Sequence, residues 1–229
     1  MVLRRPYGVK GRGWRGAISF SALQVGLRFV LTHPVILALL GLDFLATLFG
    51  LPNALFPVYA RDILQVGAAG LGVLYAASSL GAIAGGVAMS LISRVPNPGL
   101  GVLGGVAVYG IGAGLFAVSP NLWLSAAVLA LSGAGNAVSA ILRWTIVQTL
   151  TPDELRGRVS AAGSIFTSGG PRLGEFRSGA VAQVWGAQAS ALSGAIATLA
   201  LVVVVGALPF VRRFELEPAQ GSATGAPFD

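Results

Sequence analysis

The sequence contains no cysteine and one histidine, His33, and only 10% of its 229 residues carry a charge. Without cysteine there can be no disulfide framework, thiol nucleophile or zinc-thiolate site. A single histidine excludes a multi-histidine metal site within one chain. No cofactor and no metal are therefore expected. The shortage of charge says most about class. A soluble domain carries about a quarter charged residues, whereas this chain is 55% hydrophobic with a mean hydropathy of +0.79. Too little polar surface remains to coat a water-soluble globule, so the bulk faces lipid. The N-terminus is basic but lacks the short apolar core and small-residue cleavage site of a signal peptide. The first apolar segment is read as a retained anchor.

Hydrophobic runs are what the chain has in abundance. Crossing about 30 Å of hydrocarbon takes about 20 mostly apolar residues. Six such segments lie near 34–59, 69–92, 99–118, 121–149, 157–185 and 187–211. The breaks between them read "ARDILQVGA", "SRVPNPG", "SPN", "TPDELRGR" and "WGAQ". This predicts an all-α, polytopic membrane helix bundle of six transmembrane helices. Two groups of three also fit two inverted three-helix repeats, because an odd number of spans flips the second group.

The net charge of +7 comes mainly from basic residues near the ends of the apolar runs, six of them before the first span. That is the distribution of membrane-protein loops, and a nucleic-acid-binding face would gather them on one folded surface. No nucleic-acid partner is expected. With both termini cytoplasmic, the inner segments hold Arg4, Arg5, Lys10, Arg12, Arg15, Arg28, Arg94, Arg156, Arg158, Arg212 and Arg213, and the outer breaks hold only Arg61. This asymmetry obeys the positive-inside rule. It also requires residues 157–185 to span, since otherwise Arg212 and Arg213 would fall outside. The expected location is the cell (inner) membrane, multi-pass.

Three regions are expected. Residues 1–33 form a basic cytoplasmic leader in which Phe20, Leu23, Leu27 and Leu31 recur at helical spacing, predicting an interfacial amphipathic helix. Residues 34–213 form the six-helix transmembrane domain. Residues 214–229 are small, polar and Pro/Gly-bearing, and read as a disordered cytoplasmic tail. Glycines four apart inside the spans, such as Gly81 with Gly85 and Gly101 with Gly105, predict close helix packing and imply no ligand.

Ionisable side chains inside a bilayer are costly and usually face a cavity or a partner. Five qualify: Asp43, Arg143, Arg172, Glu175 and Arg177. Asp43 on span one and Arg143 on span four each lie about 10–13 Å from the cytoplasmic side at 1.5 Å per residue, so they can pair if their helices adjoin. They form either a charge pair lining a cavity or a structural salt bridge. Arg172 and Glu175, three apart, share a helix face, while Arg177 points about 160° away from Glu175 and is expected to snorkel to the headgroups. Glu175 is the candidate for protonation, because a low-dielectric setting penalises its charged form. Helix breaks are expected at Pro52 in "FGLPNALFP" and at Gly169, Gly170 and Pro171 in "SGGP", since proline removes a backbone donor. Both lie on charge-bearing spans and read as hinges. No nucleophile–base set, glycosidase carboxylate pair or phosphate loop stands out, so an enzyme is not expected.

The stretches "GLRFVLTHPVI", "LFGLPNALFPVYARDIL", "VGAAGLGVLYAASSLGAIAGG", "TPDELRGRVSA" and "LGEFRSGAVA" together resemble the major facilitator superfamily. More narrowly they are similar to the C-terminal six-helix half of its enterobactin-exporter-like group, over roughly residues 22–213. The resemblance implies an inter-domain linker before Pro34 and proton-coupled export of a small molecule, such as a siderophore or drug, by alternating access. Asp43, Arg143, Arg172 and Glu175 would then surround the path. The sequence departs from the pattern in three ways. It holds no counterpart of the superfamily's first six helices, "SLISRVPNPG" has Ser93 where an aspartate is expected, and Arg177 stands where the group more often has an acidic residue. A path between two halves has one wall here, so an N-terminal six-helix half or self-association is the expected partner besides the lipid bilayer and the substrate. A second reading is a truncated or decayed transporter fragment, or a non-transporting membrane subunit that associates with another permease.

Overall fold

A computed structural model describes residues 20–209, apart from residues 52, 93 and 94. The expected leader 1–19, the tail beyond 209, Ser93, Arg94 and the hinge Pro52 lie outside the described residues. Every regular element among those described is helical. Helix α1 covers Phe20–Thr32 and α2 covers Pro34–Phe49, where Pro34 supplies a preset φ at the first helical position. Beyond Gly50 the first span continues as a single 3₁₀ turn, Asn53–Leu55, the short helix α3, Phe56–Val58, and one π turn, Tyr59–Ile63. Helices α4 (Gly67–Leu91), α5 (Pro98–Ala117) and α6 (Leu122–Leu150) follow. Asn121 caps α6 by accepting a hydrogen bond from the Leu124 amide at 2.9 Å.

The last helical stretch, α7, runs Arg156–Gly206 over 51 residues, which would be about 75 Å if straight. It is not straight. At Gly186 the dihedrals are φ 86° and ψ 161°, a region open essentially to glycine alone. The Ser190 hydroxyl then donates to the Ser178 carbonyl at 3.0 Å, although twelve residues of straight helix would separate them by about 18 Å. The chain therefore reverses inside the expected "WGAQ" break, and α7 is two antiparallel arms, 156–185 and 187–206. With the segment Pro34–Ile63 and with α4, α5 and α6, this makes six apolar helical passes, at the places the hydropathy pattern indicates.

Glycine decides how the passes meet. A Cβ on Gly81 would strike the Ala130 carbonyl and one on Gly85 the Ala134 backbone, so α4 presses backbone to backbone on α6. Gly170 and Gly174 do the same for the first arm of α7 against Phe44, Thr47 and Leu48 of α2. Gly105 of α5 meets the Gly135 carbonyl of α6, and Gly194 of the second α7 arm meets the Phe49 carbonyl of α2. The pairs Gly81 and Gly170, Gly85 and Gly174, and Gly105 and Gly194 are separated by one constant number of residues. The same contacts thus recur in α2–α4–α5 and in α6 with the two arms of α7, as two inverted three-helix repeats require.

Three apolar clusters fill the bundle. One lies around Phe56, Tyr59, Phe116 and Leu129, one around Leu39, Val102, Val106 and Ile146, and one around Val30, Ile36, Leu40 and Val159. Helix α1 closes the third cluster, with Gly26 against the Arg158 carbonyl and Val30 fully buried. Its docking face is Leu23, Gly26, Leu27 and Val30, whereas Leu31, expected on that face, is 54% exposed. The backbone approach at Gly26 rotates the helix one residue from the purely hydrophobic reading. On the far side Leu80, Ile83 and Val87 of α4, with Val203 and Val204 of α7, are more than half exposed. Water would not tolerate such a belt, and lipid favours it.

Candidate functional site

The first span and α6 each open a repeat, and they touch sparsely. Where they do meet, Arg143 Nη1 lies 2.8 Å from Asp43 Oδ1, with 4% and 7% of the two side chains exposed. Asp43 is carried by a regular turn of α2 and Arg143 by the polar stripe Ser132, Asn136, Ser139 and Arg143 on α6, whose spacing keeps one face. A buried ion pair must be well hydrogen-bonded to offset its desolvation, yet Arg143 Nε and the Ser139 hydroxyl are buried with no hydrogen-bond partner among the described residues.

About one turn further along α2 from Asp43, a cavity of about 180 Å³ opens between Thr47, Tyr109, Ser132, Asn136, Pro171 and Glu175, among others. Each of the first five passes supplies part of its wall. Glu175 lines it from the first arm of α7. Arg172, one turn earlier, is exposed and does not line it. The structure thus brings Asp43 to Arg143, sets Glu175 at the neighbouring cavity, and leaves Arg172 outside both.

The expected break at Gly169, Gly170 and Pro171 is absent as a change of backbone. Helical dihedrals continue through all three, and Gly186 is the departure within Arg156–Gly206. Proline in a membrane helix costs one backbone bond, which neighbouring helices can compensate, and Gly170 here packs directly on the Thr47 hydroxyl and the Phe44 carbonyl.

Arg177 departs from its expected place at the headgroups. Its Nη2 donates to the Phe49 carbonyl at 3.1 Å, and its guanidinium carbon stands 5.3 Å from the Phe49 ring centroid, within cation–π range. Phe49 ends α2, so its carbonyl is among those a helix terminus leaves without an internal donor. On the opposite side the Leu51 amide donates to the Tyr109 hydroxyl at 2.9 Å, and Gly50 packs on the Tyr109 ring. Tyr75 donates to the Asn53 carbonyl at 3.3 Å. Three side chains from three other passes therefore satisfy the backbone that the interrupted first span frees. Charge and helix spacing alone miss Tyr109 and the Arg177 tether. The signal for the first is a tyrosine among the glycines of α5, and no local signal marks the second.

A buried ion pair beside a polar cavity, in an all-helical membrane bundle with a broken first span, is the build of a membrane transport domain. The family described as transmembrane secretion effector matches residues 15–226, and the chain belongs to this family of the major facilitator superfamily. It is 32% identical over 207 residues to the enterobactin exporter EntS of Escherichia coli O6:K15:H31, covering 90% of this chain and 50% of that protein. It is 33% identical over 209 residues to EntS of Salmonella typhi, covering 89% and 49%. The chain thus spans about half the length of the curated relatives it matches. No solved structure matches it. The protein is a multi-pass protein of the cell (inner) membrane, in a family of transporters and not of enzymes.

Proposed function

We propose that the chain is the C-terminal half of a proton-coupled exporter of a small molecule, a siderophore or a drug, working by alternating access with both termini cytoplasmic. The single observation carrying this is the buried Asp43–Arg143 pair beside the cavity that Glu175 lines, in a chain similar to named exporters. Rocking of one half against another needs groups whose pairing changes with protonation or load. Asp43 and Arg143 join the two repeats and would serve as such a pair. Arg172 and Glu175 complete the proposed substrate and coupling set on α7, with residues 1–33 serving as linker, 34–213 as the transmembrane domain and 214–229 as tail. The partner is an N-terminal six-helix half or a second copy, supported by the exposed polar side chains Asn136, Thr145 and Gln148 on α6 and Ser168 and Arg172 on α7, which lipid would not solvate.

The test is co-expression with an N-terminal six-helix half in cells lacking other exporters. Retention of preloaded ethidium, and of catecholate siderophore under iron starvation, is then measured. Efflux by the pair, lost in Asp43→Asn or Glu175→Gln at equal membrane abundance, is the expected result. Unchanged efflux in both variants would remove the coupling assignment. A chain that moves neither compound with any half favours the non-transporting subunit or fragment, which its half-length coverage of the exporters also accommodates.

A further inference from the structure

The polar stripe of α6 holds two groups that the ion pair does not account for. Ser139 is 1% exposed and its hydroxyl has no hydrogen-bond partner among the described residues, and Arg143 Nε is in the same position. Buried hydroxyls elsewhere in the bundle donate to the carbonyl four residues earlier, as Thr151, Ser178 and Thr198 do at 2.6, 2.7 and 2.9 Å. Ser139 does not, and the carbonyl it would use, that of Gly135, is the one against which Gly105 packs. Leaving such a group dry costs about 1–3 kcal/mol. Ser139 stands one turn before Arg143 on the same face of α6. The Asp43 carboxylate meets Arg143 through Nη1, which leaves the Nε edge of the guanidinium to something else. A hydroxyl and an Nε–H can both donate, so one acceptor oxygen satisfies the two together.

The surroundings differ at the two ends of the pair. Toward α1 it is covered by apolar side chains. Ile36, Leu39 and Leu40 precede Asp43 on α2, Ile146 and Val147 follow Arg143 on α6, and each is at most 1% exposed. Toward the Gly50 break the stripe continues as Asn136, which is exposed, and Ser132, and both line the cavity. We propose that a water molecule is bound between the Ser139 hydroxyl and Arg143 Nε, and that with Asn136 it forms a hydrated route from the cavity to the ion pair, closed on the α1 side. A water oxygen accepts from both donors and keeps two hydrogens to pass on, and buried waters typically make about three such bonds. The inference needs the pair and the cavity and does not need transport. It says from which side the pair meets water.

The chain has no cysteine, so single thiols report on water without background. Purified full-length Ser139→Cys in lipid nanodiscs, open to reagent from both faces, is treated with 2-aminoethyl methanethiosulfonate. A thiol reacts as its thiolate, which forms in water and is suppressed among apolar groups, so Ser139→Cys should label about tenfold or more faster than Ala46→Cys. Ala46 is also buried, in the apolar cluster around Leu39. Asn136→Leu, an apolar plug at the cavity end, should slow Ser139→Cys labelling about tenfold, while Thr149→Leu at the α1 end of the same helix should not. In isotope-labelled protein the Arg143 Nε–H resonance, identified by its loss in Arg143→Lys, should cross-relax with water, and Ser139→Ala should abolish that cross-peak. Ser139→Cys labelling no faster than Ala46→Cys, no water cross-peak at Arg143, or one that survives Ser139→Ala overturns the water site. Fast labelling that Asn136→Leu leaves unchanged, or that Thr149→Leu slows, overturns the route from the cavity. None of these readouts needs a partner half or a substrate, so their failure leaves the exporter reading standing. A water in place with no efflux from the paired halves would strike that reading alone.

Discussion

Removing one member of the Asp43–Arg143 pair should cost far more than removing both. With charge centres about 4 Å apart, an effective dielectric near 20 gives about 4 kcal/mol of attraction. Desolvation takes back several kcal/mol per ion, so the pair as a whole contributes near zero. Asp43→Asn destroys the attraction but leaves an Arg143 side chain only 4% exposed, with an Nε already lacking a partner among the described residues. The cost of such a stranded charge is about 3–5 kcal/mol. Arg143→Gln strands the carboxylate with a similar cost. The double variant Asp43→Asn/Arg143→Gln restores two neutral amides able to hydrogen-bond, and should return within about 1–2 kcal/mol of wild type. The assay is reversible unfolding in mixed detergent and SDS micelles, followed by circular dichroism, for all four proteins. Single variants costing under about 1 kcal/mol, or costs that simply add in the double, would show that the two groups are not paired in the folded bundle, and the structural basis of the proposed coupling would go with them.

Three further outcomes are expected. Gly186→Ala must place a Cβ at φ 86°, ψ 161°, and should destabilise the hairpin by about 1–3 kcal/mol, read in the same unfolding assay; an unaltered midpoint would mean that α7 does not reverse there. Arg177→Ala should free the Phe49 carbonyl and raise hydrogen exchange at residues 50–56 selectively, with a loss of about 1–3 kcal/mol; Arg177→Lys should recover only part, since an ammonium lacks the planar fork, and equal exchange in all three would remove the tether. Single cysteines at Pro120 and Gln188 should label with a membrane-impermeant maleimide from outside intact cells, and one at Glu154 only after permeabilisation. Labelling of residue 154 from outside would invert the proposed orientation.

What the sequence makes legible follows from the range of the forces involved. The six passes are readable because each must satisfy the bilayer by itself, with about 20 apolar residues and polar breaks. Even the turn at Gly186, hidden inside a helical stretch of 51 residues, is the one that the positive-inside reading of Arg212 and Arg213 calls for. The Asp43–Arg143 contact is half-legible: matching depth permits it, but only the backbone approaches of Gly81, Gly105, Gly170 and Gly194 fix which helices adjoin. Angular reasoning fails where it treats a helix as isolated. Arg172 and Glu175 share a face on a helical wheel, yet the cavity that α2 and α6 help to build is lined by Pro171 and Glu175 and not by Arg172. Arg177 shows the limit more sharply. On its own helix the long side chain has only the headgroups to reach for, while in the bundle α2 has stopped at Phe49 and presents an unsatisfied carbonyl 3.1 Å away. A break in one pass thus sets the rotamer of a charge more than a hundred residues later. The ion pair lies before that break and the cavity straddles it, so motion of the first span beyond Gly50 would alter the cavity wall at Leu51, Asn53 and Phe56 while the ion pair holds α2 in register.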